Sequence, residues 1–94
     1  MALSFEWDEV KRQFNVQKHR IDFPLAATGF FGPIVEEIDD REDYGEERVV
    51  ALGLASSTVL RVTFTRRGDA IRIISAQKAS RHDQEIYYRS VYSR

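Results

Sequence analysis

Most of the arginine in this sequence lies in its second half, and arginine is the side chain best suited to holding phosphate. A guanidinium grips two phosphate oxygens at once and stays charged at any physiological pH. The second half therefore has the charge needed to stabilise a phosphoryl centre. For each basic residue the alternative is a structural ion pair with a nearby carboxylate. The residues concerned are Arg48, Arg61, Arg66, Arg67, Arg72, Lys78 and Arg81.

Proton transfer, which phosphate chemistry also requires, has fewer candidates. His19 lies at the end of a predicted helix, where the helix dipole favours the protonated ring. The same position also suits a histidine that only caps helix carbonyls. His82 falls near the start of the last predicted helix, and we expect it to be a surface residue. Further candidates are Glu85, Tyr87 and Tyr88.

Composition excludes several classes of function. The 94 residues include no cysteine, so disulfides, thiolate metal sites and a cysteine nucleophile are excluded. The two histidines show no zinc-binding pattern, and there is no glycine-rich phosphate loop, so we expect neither a metal ion nor another cofactor. No apolar run is long enough to cross a bilayer, and the amino terminus lacks the pattern of a signal peptide. These features predict a cytoplasmic protein.

Charge is divided unevenly along the chain. Residues 1–47 contain 5 Lys+Arg and 12 Asp+Glu, whereas residues 48–94 contain 9 and 3. This division predicts a basic working surface beside an acidic segment, and basic surfaces attract polyanions such as RNA. Alternatively, folding interleaves the two halves and their charges neutralise one another. The acidic run at 39–47 is either a solvated loop or a docking site for a basic partner.

The pattern predicts one α+β domain over residues 1–94, with helices first and an antiparallel sheet after them. Asp8, Asp22 and Ser80 are predicted N-caps of three helices, of which the first continues to about Lys18. Turns short enough for hairpins join the last three strands. Extended segments are predicted at 3–7, 34–38, 48–55, 58–66 and 70–76.

Alternation within the predicted strands separates an apolar face from a mixed face. Arg61 and Arg72 lie on the mixed face, which is either a concave working surface or simply a solvated one. The apolar face holds Leu60, Val62, Phe64, Ile71 and Ile73. On the first predicted helix, an apolar stripe of Trp7, Val10 and Phe14 is separate from a polar face of Lys11, Asn15 and Lys18.

Two blocks of sequence carry a family resemblance. The first is Phe5-Glu6-Trp7-Asp8, running on to Lys18-His19-Arg20-Ile21-Asp22-Phe23. The second is Gly45-Glu46-Glu47-Arg48 followed by Arg67-Gly68-Asp69-Ala70-Ile71-Arg72-Ile73-Ile74-Ser75-Ala76. In this order, and in a chain of this length, they resemble the BrnT family, the toxin half of a bacterial type II toxin–antitoxin pair. The resemblance extends from about Phe5 to Tyr88.

The resemblance implies a RelE-like fold, with N-terminal helices packed on a curved antiparallel sheet and a helix at the C-terminus. It implies an endoribonuclease that inhibits translation and growth. Because the ribose 2′-hydroxyl can attack the neighbouring phosphate, and because the sequence has an arginine-rich half and no metal-ligand cluster, we expect cleavage without a metal ion. It also implies a BrnA-like, ribbon-helix-helix antitoxin in a hetero-oligomer. RNA is then the substrate, DNA is bound only through the antitoxin complex, and no membrane is involved.

Candidate site residues follow from the motifs and the charge pattern together. Arg48, Arg67 and Arg72 match positions of the motifs, and with His19 they are the candidate catalytic residues. A functional role and a structural ion pair are equally compatible with Arg48 and Arg72, whereas the ion pair is favoured for Arg61. Candidates for RNA binding are Lys11, Lys18, Arg61, Lys78 and Arg81.

Two positions depart from the family pattern. Arg20 stands where the family usually has glycine, at a point where the chain leaves the helix with positive φ, so a strained or different exit is expected. Gln77 stands where the family usually has arginine, and a neutral amide cannot replace a fixed charge at a phosphoryl centre. Both departures favour an alternative, a weak or inactive homologue that serves only as binding partner and co-repressor of the antitoxin. A third possibility is a sheet-based nucleic-acid-binding domain with no toxin role.

Overall fold

Five strands form one mixed sheet, and helices pack on both of its faces. The structure is a computed structural model, and it describes residues 3–92. The strands are β1 (Ser4–Trp7), β2 (Ile34–Asp39), β3 (Arg48–Ala55), β4 (Thr58–Arg67) and β5 (Ala70–Lys78). The helices are α1 (Glu9–His19), α2 (Phe23–Thr28), which continues into a 3-10 turn at Gly29–Phe31, and α3 (Arg81–Tyr92). The strand order in the sheet is β1-β5-β4-β3-β2.

The predicted fold class is confirmed, with one correction to the sheet. Strands β2 to β5 form the expected antiparallel meander. β1 instead pairs parallel to β5, with Glu6 beside Arg72 and Trp7 beside Ile73, so the sheet is mixed and not purely antiparallel. β1 has only four residues, which is too short for its sequence pattern to identify the strand that it pairs with. It joins the one sheet edge that the meander leaves open beside β5.

The two faces of the sheet are buried to different extents. The apolar face predicted from the sequence is confirmed, because all five of its residues are buried in the cluster that includes Phe23 and Ala26 of α2. On the opposite face, α3 covers one end, where Tyr87 packs with Leu52 and Val59. The rest of that second face has no helix packed on it in the part of the chain described here, and it carries the predicted arginines.

α1 begins and ends at the residues that the sequence predicts. The carboxylate of Asp8 accepts hydrogen bonds from the backbone N–H groups of Val10 and Lys11. At the other end, Arg20 has φ 62° and ψ 24°, and its N–H donates to the Val16 carbonyl at 2.9 Å. The exit is therefore the left-handed one that glycine favours, held by an arginine at a cost of about 1–2 kcal/mol. His19 thus keeps its place at the helix C-terminus.

The packing of α1 differs from the predicted stripe. Trp7 packs against the core, but Val10 is 75% exposed and Phe14 is 63% exposed. Asn15, assigned to the polar face with Lys11, is 4% exposed. Helical periodicity shows which residues share a face, but it does not show which face is buried when that face makes polar contacts. α1 therefore turns part of its apolar surface to solvent.

Asn15 joins α1 to the edge of β5. Its Nδ2 donates to the carbonyls of Ala76 and Ile21, both at 2.8 Å, and its Oδ1 accepts from the Ala76 N–H at 3.0 Å. β1 ends beside Ile73, so β5 has no strand partner on that side at Ala76. The Asn15 amide supplies the donor and the acceptor that a strand would have supplied.

Replacing Asn15 by alanine should destabilise the protein strongly. The change leaves the Ala76 N–H and two carbonyls without partners in a buried setting, and each unpaired group costs about 1–3 kcal/mol. We expect a loss of about 2 kcal/mol or more in the free energy of unfolding, measured by urea denaturation. Gln17→Ala, at an exposed position of the same helix, should change it by less than about 0.5 kcal/mol. Equal effects of the two variants would contradict this account of α1.

Candidate functional site

A row of polar side chains crosses the open part of the second sheet face. Asp39 lies opposite Arg48, the β3–β4 register brings Arg48 next to Thr65, and Thr65 lies opposite Arg72. Glu6 of β1 completes the row beside Arg72. Because β3 and β5 are two strand spacings apart, the backbones of the two arginines are separated by about 10 Å. Two candidate catalytic residues therefore point from the same face, with the buried Thr65 between them.

The arginines of this face differ in how firmly carboxylates hold them. Arg72 donates from Nη1 to the Glu6 carboxylate at 2.9 Å. Arg48 and Arg67 approach one carboxylate, that of Glu46, at 3.9 and 3.8 Å, which is too long for a hydrogen bond. Within residues 3–92, the Nε of Arg48 is buried without a hydrogen-bond partner. Arg48 and Arg67 are thus drawn together but only loosely paired.

Asp39 organises the loop that supports Arg48. Its side chain is 3% exposed and accepts hydrogen bonds from the Arg41 guanidinium at 2.8 Å and from the Tyr44 hydroxyl at 3.3 Å. The hydrogen bond from Arg41 lowers the pKa of Asp39 to about 2, and burial opposes part of that shift. The Tyr44 ring in turn lies 4.0 Å from the guanidinium carbon of Arg48, a cation–π contact. A buried carboxylate therefore positions a candidate catalytic arginine through an aromatic ring.

A second basic surface lies in a groove of about 310 Å³ between α1 and the free edge of β5. It is lined by Lys11, Lys18 and His19, and by no carboxylate of residues 3–92. Within the described residues, none of the three forms an ion pair with an aspartate or glutamate. The other lining residues are Val10, Phe14, Asn15, Ile74 and Ser75. We call this the α1–β5 groove; its two lysines are free to hold an anion, whereas the sheet-face arginines have carboxylate neighbours.

Ser75 joins the α1–β5 groove to the sheet face. It lines the groove and also a polar pocket of about 230 Å³ that is formed with Arg41, Arg61, Thr63 and Gln77. The β4–β5 register shifts here, so that Thr63 pairs with Ser75 and Phe64 with Ile73, and Ile74 between them has no partner. This bulge directs Ile74 into the groove while Ser75 stays on the sheet face. Bulges re-aim side chains in this way.

The remaining predicted residues lie elsewhere or are tied to structure. Arg61 lines the polar pocket, but its Nη1 donates to Asp83 of α3 at 3.2 Å. Lys78 lies opposite Leu60 and Gln77 opposite Arg61, so Lys78 points from the other face of the sheet. Arg81 is exposed at the start of α3. Lys78 and Arg81 therefore line neither the groove nor the polar pocket.

Two further results concern ions and membranes. Among residues 3–92, no group of three or more His, Cys, Asp or Glu side chains is arranged to hold a metal ion. In the same part of the chain, no helix is long and apolar enough to cross a membrane.

Comparison with known proteins decides the family. Residues 7–83 match the model of the ribonuclease toxin, BrnT, of type II toxin–antitoxin systems. The chain belongs to this family. A crystal structure of the Brucella abortus ribonuclease toxin BrnT, determined at 1.1 Å resolution, matches this fold with a TM-score of 0.64 and 29% sequence identity, over 85% of this chain and 100% of that one. No curated protein sequence matches the chain.

Several residues of the candidate site were not among the sequence predictions. Glu6 and Ser75 lie within the two sequence blocks that resemble the family, and that position could have identified them as candidates. Asp39 and Tyr44 belong to the acidic run, where spacing alone does not show that one carboxylate is buried. Ile74 enters the groove only because of the bulge, and nothing in the strand pattern indicates that irregularity.

Asp39 should make stability depend on acid pH. Because its pKa in the folded state, about 2, lies below the ordinary 3.8, the ionised form stabilises the fold above about pH 4, and this contribution is lost as the pH falls to about 2. The melting temperature of Asp39→Asn should therefore lie below that of the wild type at pH 6, and the difference should vanish towards pH 2. Asp40→Asn, at an exposed neighbouring position, is the control and should show little difference at either pH. A difference for Asp39→Asn that persists at pH 2 would contradict an electrostatic origin.

Proposed function

We propose that this chain is an endoribonuclease that cleaves RNA without a metal ion, by attack of the ribose 2′-hydroxyl on the adjacent phosphate. The observation that carries the proposal is the continuity, at Ser75, between the groove with its unpaired cations and the arginine-bearing sheet face. An RNA strand laid across this junction meets positive charge on both sides. Family membership supports the ribonuclease activity itself.

For this kind of cleavage the protein needs only to place positive charge near the phosphate and to provide groups for one or two proton transfers. A bond forms between the 2′-oxygen and phosphorus, and the bond from phosphorus to the 5′-oxygen breaks. The products are a 2′,3′-cyclic phosphate and a 5′-hydroxyl, so the proton lost by the 2′-hydroxyl is balanced by the one that the 5′-oxygen gains. We assign stabilisation of the phosphoryl oxygens to Arg72 and Arg48, support by Arg67, and protonation of the leaving oxygen to His19.

The partner and the setting follow from the same proposal. As a type II toxin, the chain has an antitoxin partner. We propose that this antitoxin is a BrnA-like, ribbon-helix-helix protein, that the pair forms a hetero-oligomer, and that DNA is bound only through that complex. The cytoplasm is the compartment where RNA cleavage would stop translation and growth. Arginines on an open sheet face fit this role, because they can hold the phosphates of RNA.

Purified protein free of antitoxin should cut RNA in the presence of excess EDTA. The arginine and lysine side chains supply the positive charge that a metal ion would otherwise supply. The measurement is the appearance of fragments with cyclic phosphate and 5′-hydroxyl ends, detected by mass spectrometry. Cleavage that appears only after addition of Mg²⁺ or Mn²⁺, or fragments with 5′-phosphate ends, would contradict the mechanism.

Arg72→Ala should abolish most of the cleavage without unfolding the protein. Arg72 projects from the face opposite the buried Ile71 and Ile73, and a transition-state charge contact of this kind contributes about 3 kcal/mol, or roughly a hundredfold in rate. Arg72→Lys should restore little, because lysine lacks the bidentate fork. Lys78→Ala is the matched control: it removes a cation from the other sheet face and should leave the rate unchanged. A folded Arg72→Ala protein that cleaves at the parental rate would show that Arg72 only pairs with Glu6.

Gln77 favours the alternative, a weak toxin that serves mainly as partner and co-repressor of the antitoxin. It lines the polar pocket beside Arg61 as a neutral amide, at the position where the family usually has arginine. If that missing charge limits the rate, Gln77→Arg should raise RNA cleavage about tenfold or more, because a guanidinium in a partly dry site attracts the charged transition state far more strongly than an amide does. An unchanged rate in a variant with a normal melting temperature would show that position 77 is not limiting.

A further inference from the structure

Phe14 is an aromatic ring placed where packing does not need it. It is 63% exposed and lines the α1–β5 groove together with Val10, which is 75% exposed. Across the groove, Ile74 is directed towards them by the β5 bulge. Three apolar side chains thus form a small, open, hydrophobic slot. Exposed apolar side chains that line a concave surface indicate a binding site more often than they indicate a packing defect.

The cations of the groove are placed around this slot. On a helix, residues three and four positions apart lie side by side, so Lys11 and Lys18 flank Phe14 on its two sides. Seven residues of helix separate the two lysines by about 10 Å along the axis. The slot therefore has a flat hydrophobic ring in the middle and a positive charge towards each end, with His19 beside the second lysine.

We propose that this slot holds one unstacked nucleobase of single-stranded RNA, with the base against the Phe14 ring and the phosphates on its two sides held by Lys11 and Lys18. A base in a duplex is stacked on its neighbours and cannot offer its face to a side chain, so the substrate class is single-stranded RNA. The inference rests on the proposed function, since it names the form of RNA that the same surface takes. Ser75 connects the slot to the sheet face, so the bound base lies next to the nucleotide that is cleaved.

The main alternative occupant of the groove is an amphipathic helix from a protein partner, and the charge of the lining residues argues against it. Such a helix presents several apolar anchors to a continuous apolar groove. This groove instead offers three apolar side chains among two lysines and a histidine, and among residues 3–92 no carboxylate lines it. Single-stranded RNA matches both the apolar slot and the basic residues around it, because each nucleotide carries an aromatic base and a negative phosphate.

The test compares binding of a single-stranded, fully 2′-O-methylated RNA octamer, which cannot be cleaved, with binding of the same sequence as a duplex. Dissociation constants are measured by fluorescence anisotropy at one salt concentration. Wild type should bind the single strand more tightly than the duplex. Phe14→Leu keeps an apolar side chain but removes the flat ring, and it should weaken single-strand binding about tenfold while leaving duplex binding unchanged. Phe14→Trp should bind the single strand at least as tightly as wild type does.

Phe31→Leu is the matched control, because Phe31 is 70% exposed in the 3-10 turn and does not line the groove. It should bind both RNAs as wild type does. The inference is overturned if Phe14→Leu binds the single strand normally, if Phe31→Leu weakens it equally, if the duplex binds more tightly, or if Phe14→Leu loses antitoxin binding and keeps RNA binding.

The cleavage assay and the binding assay together distinguish a failure of the base slot from a failure of the proposed ribonuclease function. Cleavage in EDTA with single-strand binding that does not depend on Phe14 would remove the base slot and keep the ribonuclease. Phe14-dependent binding of the single strand without cleavage would support the slot and remove the proposed cleavage.

Discussion

The contact of the Asn15 amide with the backbone of Ala76 is the constraint on which the functional surface depends. β1 is too short to cover the whole edge of β5, and one side-chain amide replaces the missing strand with a donor and an acceptor at 2.8 and 3.0 Å. Because this pair fixes α1 along the edge, Lys18 and His19 line the same groove as Ile74. A polar contact in a buried place thus sets the geometry of a basic groove.

Acidic residues of the first half hold the basic residues of the second half in position. Glu6 binds Arg72, and Asp39 acts on Arg48 through Tyr44. The expected interleaving of the two halves therefore applies to the sheet-face arginines, which have carboxylate neighbours. The lysines of the α1–β5 groove have none among the described residues, but they belong to the acidic first half, so the charge division did not predict this basic surface. The Glu6 carboxylate keeps the Arg72 guanidinium oriented, and in the proposed mechanism a substrate phosphate would compete with Glu6 for it.

Sequence reasoning succeeded where the pattern was regular. The meander and its apolar face follow from strand alternation, and the limits of α1 follow from Asp8 and from the left-handed residue after His19. It failed where one contact overrides periodicity. The pattern assigned Phe14 to an apolar stripe and Asn15 to a polar face, but the structure exposes Phe14 and buries Asn15, because the unpaired backbone of β5 requires an amide. The parallel pairing of β1 and the bulge at Ile74 depend on distant partners that no local pattern contains.

In the proposed complex, RNA lies across Ser75 and contacts both the α1–β5 groove and the arginine face. Mapping of backbone amide shifts by NMR, during titration of the protein with a 2′-O-methylated single-stranded RNA, tests it directly. We expect shifts at Phe14, Lys18 and His19 together with shifts at Ser75 and Arg72, all saturating at the same RNA concentration. Shifts confined to the acidic segment 39–47 or to α3, or saturation of the two surfaces at different concentrations, would contradict it.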